Sequence, residues 1–160
     1  MKKKSFLLLS HCLLNQLTRA GGSYTEGATK KLLSLLSQYD IPVYQLPCPE
    51  YIFMGPREKR TQDAWERVKG FKNFCSELAE KVKEEIWDIV HDKNLIMVAI
   101  SRSPCCSASK VYRGDRIIEG KGLWVEELEK RFKLNIIEFD FKKVEESLKN
   151  INEFLKKRTF

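Results

Sequence analysis

The chain has 160 residues, 42% of them hydrophobic, and 29 Lys and Arg against 22 Asp and Glu give a net charge of +7. A chain of this length can bury one sizeable core, so we predict a single domain over residues 1–160. The apolar run near the start is too short to span a bilayer and is interrupted by Ser10 and His11, which argues against a leader or a membrane anchor. We therefore expect a cytoplasmic protein with no membrane partner.

The positive charge would attract phosphate or nucleic acid, but much of it lies in short lysine runs that are typical of a solvated surface. No aromatic-rich RNA-binding motif accompanies it. The charge therefore allows tRNA as a partner without requiring it.

Apolar runs alternate with amphipathic stretches along the chain. The runs predict four strands, at 5–10, 41–47, 94–101 and 134–141, of which the first and third have the continuous apolar sequence of buried strands. The amphipathic stretches predict four helices, at 25–39, 63–90, 124–132 and from Val144 to Leu155. This alternation predicts an α/β fold of three layers, Rossmann-like or flavodoxin-like, with an open and mainly parallel sheet and helices on both faces.

Cysteines follow three of the predicted strands. Cys12 comes after the first strand, Cys48 after the second, and the adjacent Cys105 and Cys106 after the third, whereas Cys75 lies within a helical stretch and is expected to pack in the core. Ligands of open α/β sheets bind at the carboxyl ends of the strands. The cysteines of three loops are therefore expected to converge in one crevice.

Three kinds of chemistry are compatible with such a crevice. Structural zinc usually takes four ligands, so three loops with one cysteine each fit an iron–sulfur cluster with one open iron somewhat better. A phosphatase-type nucleophile is disfavoured, because "CLLNQLTR" has one residue too many between Cys12 and Arg19 for the C-x5-R cradle. An odd number of cysteines without a secretory leader also argues against a disulfide framework.

Three motifs occur in order over the first two-thirds of the chain: "CLLN" from Cys12, "CPE" followed by "GPR" from Cys48, and "SPCC" from Ser103. Together they resemble the "CLLG", "CPE…PR" and "SPSCG" signatures of the thiouracil desulfidase family. The resemblance implies a 4Fe-4S cluster held by Cys12, Cys48 and Cys106, with the fourth iron open. It also implies non-redox replacement of the sulfur of a thiolated uracil by oxygen from water.

The same resemblance assigns Glu50 and Ser103 to catalysis, and the chemistry of these residues agrees with the assignment. Glu50, two residues from a predicted ligand, could serve as general acid or base, while Ser103 could orient the water or the ring carbonyl. Arg19 and Arg57 are candidates for contacting a substrate carbonyl or phosphate. The implied substrate is a small thiolated pyrimidine base, nucleoside or nucleotide.

The sequence departs from the family pattern at the third motif, where Cys105 stands in place of a serine. Cys105 is therefore the alternative to Cys106 as third ligand. A competing hypothesis is a scaffold or sensor in which the same cysteines hold a metal or cluster and the basic surface binds RNA. An open coordination site beside a glutamate favours the enzyme, because a sensor needs neither.

Overall fold

The computed structural model describes residues 3–159, so Met1, Lys2 and Phe160 of the predicted domain lie outside the described residues. These described residues form six strands: β1 (Ser5–Leu9), β2 (Val43–Gln45), β3 (Asn94–Ile100), β4 (Lys110–Arg113), β5 (Arg116–Glu119) and β6 (Leu134–Phe139). Four of them form a parallel sheet in the order β2-β1-β3-β6, and β4 and β5 form an antiparallel hairpin.

The described part of the chain also contains six α-helices: α1 (Ala28–Leu36), α2 (Pro49–Met54), α3 (Gln62–Glu66), α4 (Phe71–Val90), α5 (Leu123–Glu129) and α6 (Val144–Thr159). They cover both faces of the sheet. The predicted three-layer α/β fold, with its open parallel sheet, is thus confirmed. Within residues 3–159, no helix combines the length and the apolar composition that crossing a membrane requires.

The sheet separates two hydrophobic cores, because successive side chains of a strand point to opposite faces. Phe6 and Leu8 of β1 pack with α3, α4 and α5 on one face, whereas Leu7 and Leu9 pack with α1 and α6 on the other. Strand β3 alternates in the same way, and both central strands are almost entirely buried. Their unbroken apolar sequences are what burial on two faces requires.

The predicted single helix over 63–90 is wrong. Helix α3 ends at Glu66 and α4 begins at Phe71, after Gly70, whose φ of 83° lies in the left-handed region. A glycine adopts this conformation without the steric cost of a Cβ, and a continuous right-handed helix cannot contain it. The apolar period continues across the break because Trp65 and Phe71 pack in the same core.

The connections reverse direction in the middle of the sheet. The chain leaves β1 for β2 on one side and then returns across β1 to form β3 on the other. Such a reversal separates the loops that leave the two central strands and opens a crevice at their carboxyl ends. This edge carries the candidate site.

Candidate functional site

A cavity of about 260 Å³ opens at the carboxyl ends of the central strands. It is lined by every side chain that the sequence predicts for cofactor binding, catalysis and substrate contact, namely Cys12, Arg19, Cys48, Glu50, Arg57, Ser103 and Cys106. The residues come from the loops after β1, β2 and β3. The convergence expected from strand order is therefore present in the fold, while the individual roles stay predictions.

Each cysteine lining the cavity is held by local backbone structure. Cys12 lies in a short 3-10 turn that follows β1. Cys48 caps the start of α2, where its Sγ accepts a hydrogen bond from the Tyr51 backbone N–H at 3.5 Å and Pro49 occupies the first helical position. The Cys106 carbonyl accepts the Ile100 N–H at 2.9 Å, which ties the third loop back to the end of β3.

The three thiols influence one another through their charges. Burial raises the pKa of Cys12 to about 12, and the nearby Cys48 contributes to the rise while Arg19 opposes it. Burial also raises the pKa of Cys48 and, much further, that of Cys106, for which Cys48 and Cys12 are the next largest causes. Burial therefore disfavours thiolates in this cavity unless a positive charge lies among them, and a metal centre would supply such a charge.

Glu50 forms a buried ion pair with Arg57. Its Oε1 accepts a hydrogen bond from Nε of Arg57 at 3.0 Å and lies 2.9 Å from Nη2, and both side chains are less than a tenth exposed. The remaining nitrogen, Nη1, donates to the Thr18 carbonyl at 2.9 Å and to the Gly55 carbonyl at 3.3 Å. Arg57 thus joins the loops after β1 and β2 and fixes the carboxylate between them.

Ser103 shapes the third loop through its hydroxyl. The Oγ accepts the backbone N–H groups of Cys105 at 3.3 Å and Cys106 at 3.0 Å. Because the oxygen acts as acceptor in both bonds, its own hydrogen remains available to donate toward the cavity. Ser103 therefore combines the turn-stabilising role of a serine before proline with a free donor at the predicted site.

Cys105 does not line the cavity. Its side chain is fully buried, in the same hydrophobic core as Cys75, and its thiol lies near the Glu50 carboxylate. Burial and the Glu50 charge raise the pKa of this thiol well above its ordinary value. Of the two candidate third ligands, Cys106 is the one that faces the cavity with Cys12 and Cys48.

Arg19 is anchored on two sides at the cavity wall. Its Nη1 donates to Gln16 at 3.0 Å and to Thr25 at 3.2 Å, and its guanidinium carbon lies 3.8 Å from the centre of the Phe141 ring. Burial lowers the pKa of Arg19, and the nearby Cys12 opposes that effect. The residue is thus a positioned cation close to a predicted ligand.

His11 precedes Cys12 but does not line the cavity. Its Nδ1 lies 3.1 Å from the Leu46 carbonyl, so it bridges the ends of β1 and β2. The interpretation of His11 as a packed structural histidine fits this contact better than the alternative of a fourth ligand.

Sequence reasoning missed one wall of the cavity, which is built by Arg102, Tyr112, Asp140 and Phe141. Arg102 has a φ of 63°, unusual for a residue with a Cβ, and its Nη1 and Nη2 donate to Asp140 at 2.8 and 2.9 Å. A signal existed for the hairpin that carries Tyr112, because Gly114-Asp115 separates two short β-prone runs. No local signal pairs Arg102 with Asp140.

The donor set of the cavity fits an iron–sulfur cluster by its chemistry, since thiolates are the usual protein ligands of such clusters. Three of them face one space, as a cluster with three protein ligands requires. Within residues 3–159 no group of three or more His, Cys, Asp or Glu side chains converges closely enough to hold a single metal ion, whereas the three thiolates of a 4Fe-4S cluster each bind a different iron and need not meet at one point.

Comparison with known proteins gives one relative across the whole chain. No protein-family model matches the sequence. The uncharacterized protein MJ0003 of Methanocaldococcus jannaschii is 30% identical over 162 residues, which cover 98% of this chain and 96% of that protein. The chain belongs to the family of MJ0003.

Among solved structures, a 4Fe-4S-dependent thiouracil desulfidase, TudS, has the same fold. The match has a TM-score of 0.57 and 18% sequence identity, and it covers 94% of this chain and 99% of that one. At this identity the likeness establishes the fold of this member of the MJ0003 family, and its activity has to be argued from the cavity.

Proposed function

We propose that this chain removes sulfur from a small thiolated pyrimidine, as a base, nucleoside or nucleotide, at a 4Fe-4S cluster held by Cys12, Cys48 and Cys106. The observation that carries the proposal is that three thiols from three loops share one cavity with the buried carboxylate of Glu50. Two further observations support the same reaction. The chain shares its fold with TudS, and it carries the three motifs that begin at Cys12, Cys48 and Ser103.

The overall reaction exchanges one atom. The C=S carbon gains oxygen from water and loses sulfur as sulfide, so thiouracil and water give uracil and hydrogen sulfide without net oxidation or reduction. A cluster bound by the three thiolates would supply an open Lewis-acidic iron that polarises the C=S bond and accepts the sulfur.

In this proposal Glu50 acts first as the proton acceptor and then as the proton donor. In the ion pair with Arg57 it is a carboxylate, the form that accepts a proton from an attacking water, and Arg57 holds its Oε1 in a fixed direction. The protonated carboxyl can then donate when the C–S bond breaks. The buried thiol of Cys105 on the third loop lies near the same carboxylate.

Ser103 and Arg19 orient the substrate. The free hydroxyl hydrogen of Ser103 can donate to the ring carbonyl or the water, because its oxygen is already occupied by two N–H groups. Arg19, fixed by Gln16, Thr25 and Phe141, offers a positive charge to a second carbonyl or a phosphate. Both residues bind and orient, and neither exchanges a proton in the reaction.

The first test is the iron and acid-labile sulfide content of protein purified without oxygen. We expect about four irons per chain in the wild type, and loss of most of the iron in Cys12→Ser, Cys48→Ser and Cys106→Ser. Cys105→Ser is the matched control, because Cys105 adjoins Cys106 yet does not line the cavity. It should keep its iron.

The loaded wild type is then incubated with thiouracil, and uracil and sulfide are measured. Equal release of the two products supports the proposal. Zinc in place of iron, retention of iron in all of the cysteine variants, or a loaded protein that leaves thiouracil intact would each contradict it.

A further inference from the structure

One flat hydrophobic surface of the cavity has no role in the proposed reaction. Only two aromatic residues line the cavity within residues 3–159, Tyr112 and Phe141. The guanidinium of Arg19 already covers the Phe141 ring, at 3.8 Å from its centre. Tyr112 is 38% exposed, and within the same described residues neither a second ring nor a cation stacks on it.

The backbone aims Tyr112 at the cavity. Arg102 pairs with Val111 in an isolated parallel bridge, which joins the end of the third loop to β4. Side chains alternate along a strand, so the fully buried Val111 points to the core and Tyr112 points away from it. The left-handed conformation of Arg102 permits this bridge, and its two bonds to Asp140 hold it.

The outer part of the hairpin is fixed as well. Arg113 donates to Gln62 at 2.9 Å, and the Gly114 N–H donates to the Asp63 carboxylate at 2.8 Å. Both partners belong to α3, which is packed in the core through Trp65. Tyr112 is therefore presented by a strand that is tied at both ends, and not by a free loop.

We infer that Tyr112 determines substrate specificity by stacking on the flat heteroaromatic ring of the substrate. A base ring offers a π-face to a tyrosine whatever its substituents, and such stacking contributes substantially to binding. Acyclic thioamides lack this face and would bind more weakly. The inference rests on the proposed function and names a ring-bearing substrate class for the same cavity.

The test compares three variants with the wild type in the cluster-loaded protein. Tyr112→Phe keeps the ring, and Tyr112→Ala removes it. Ile117→Ala is the matched control, because Ile117 is the cross-strand neighbour of Tyr112, is similarly exposed and lies outside the cavity lining. Binding of uracil is measured by equilibrium dialysis, and kcat and KM are measured with thiouracil.

We expect Tyr112→Ala to raise the uracil Kd and the thiouracil KM by roughly 5- to 150-fold, the range of base–aromatic stacking, with a smaller change in kcat. Tyr112→Phe and Ile117→Ala should stay within about twofold of the wild type. An unchanged Kd and KM in Tyr112→Ala, or an equal loss in Ile117→Ala, would overturn the inference.

The two measurements separate this inference from the proposed function. Ring-dependent uracil binding without any thiouracil turnover in the wild type supports the stacking role and rejects desulfuration. If the wild type converts thiouracil but Tyr112→Ala has an unchanged uracil Kd and thiouracil KM, desulfuration is supported and the stacking role is rejected. A wild type that neither binds uracil nor consumes thiouracil contradicts both.

Discussion

The Glu50 carboxylate has two neighbours of different charge, the guanidinium of Arg57 and the thiol of Cys105. Arg57 donates a hydrogen bond from Nε to one carboxylate oxygen and places Nη2 in ion-pair contact with the same oxygen, and the Cys105 thiol lies nearby. Burying a lone carboxylate would be costly, so the pairing is what allows a charged group inside the cavity wall. The proposed proton acceptor thus has a fixed position before substrate arrives.

Glu50→Gln tests the role of this charge. An amide oxygen can still accept from Arg57, so we expect the variant to fold and to keep its iron. An amide does not accept a proton from water, so thiouracil turnover should fall by about 10²- to 10⁴-fold. The measurement is initial rate per loaded cluster.

Glu58→Gln is the control for this experiment, because Glu58 is an exposed carboxylate close by in sequence that does not line the cavity. Its rate should match that of the wild type. Wild-type turnover in Glu50→Gln would remove Glu50 from the mechanism without affecting the cluster assignment.

The positions of the site cysteines could be predicted from the sequence because each lies just after a predicted strand, and the carboxyl ends of parallel strands share one edge. The partners of Glu50 could not be predicted from the sequence. Arg57 is seven residues away along an irregular segment, and Cys105 comes from a different loop, so their contacts depend on how the loops pack. The sequence alone likewise left Cys105 and Cys106 as alternatives, whereas their opposite orientations distinguish them.

Among the elements, α5 supports the third loop. The N–H groups of Trp124 and Val125 both donate to the Cys105 carbonyl, at 3.0 and 3.1 Å, and Gly122 precedes the helix. A Cβ on Gly122 would lie 2.1 Å from that same carbonyl oxygen. Only glycine allows the helix to approach the backbone of the cysteine loop this closely.

Gly122→Ala is therefore expected to displace the third loop or the start of α5. We expect a loss of about 1–3 kcal/mol in the free energy of unfolding, as in overpacked cores, together with reduced iron content. Chemical denaturation and iron analysis provide the two measurements.

Gly120→Ala serves as the comparison, since its Cβ would meet only Val111 Cγ2 at 3.5 Å, an ordinary contact. Its stability should change by no more than about 0.5 kcal/mol. Equal stability of the two variants would show that the close approach at Gly122 does not constrain the loop.

The hairpin of β4 and β5 was absent from the predicted elements because both of its strands are short and all of β5 is exposed. They lack the apolar alternation that identifies a half-buried strand, so the Gly114-Asp115 turn was the available signal. The helix predicted over 63–90 was too long because its apolar pattern extends over residues that are not helical. Its apolar period persists through Gly70 although the backbone does not remain helical there.

At the scale of the whole molecule, the cavity lies at one end of the sheet, where it borders the two hydrophobic cores through Phe141, Cys12 and Cys106. The four parallel strands and the helices on each face are packed by apolar side chains, while the predicted ligands are at the edge of the sheet. In this respect the protein differs from small zinc domains, in which metal binding supplies the folding free energy.

We accordingly expect the protein stripped of iron to remain folded. Its far-ultraviolet circular dichroism should match that of the loaded protein, with cooperative thermal unfolding at a lower temperature, because a bound group stabilises the folded state by mass action. The Cys12→Ser variant, which is expected to lack the cluster, provides a parallel sample. A stripped protein without a cooperative transition would mean that the cluster organises the fold itself.

The order in which the chain is synthesised determines when the cavity can form. Its walls come from the loops after β1, β2 and β3, and Asp140 and Phe141, which complete it, follow β6 near the end of the sequence. The cavity therefore cannot form until the ribosome has synthesised the chain past β6. Under the proposed function, a cluster at this edge would be inserted only after that point, and its donor would recognise a folded domain and not a growing chain.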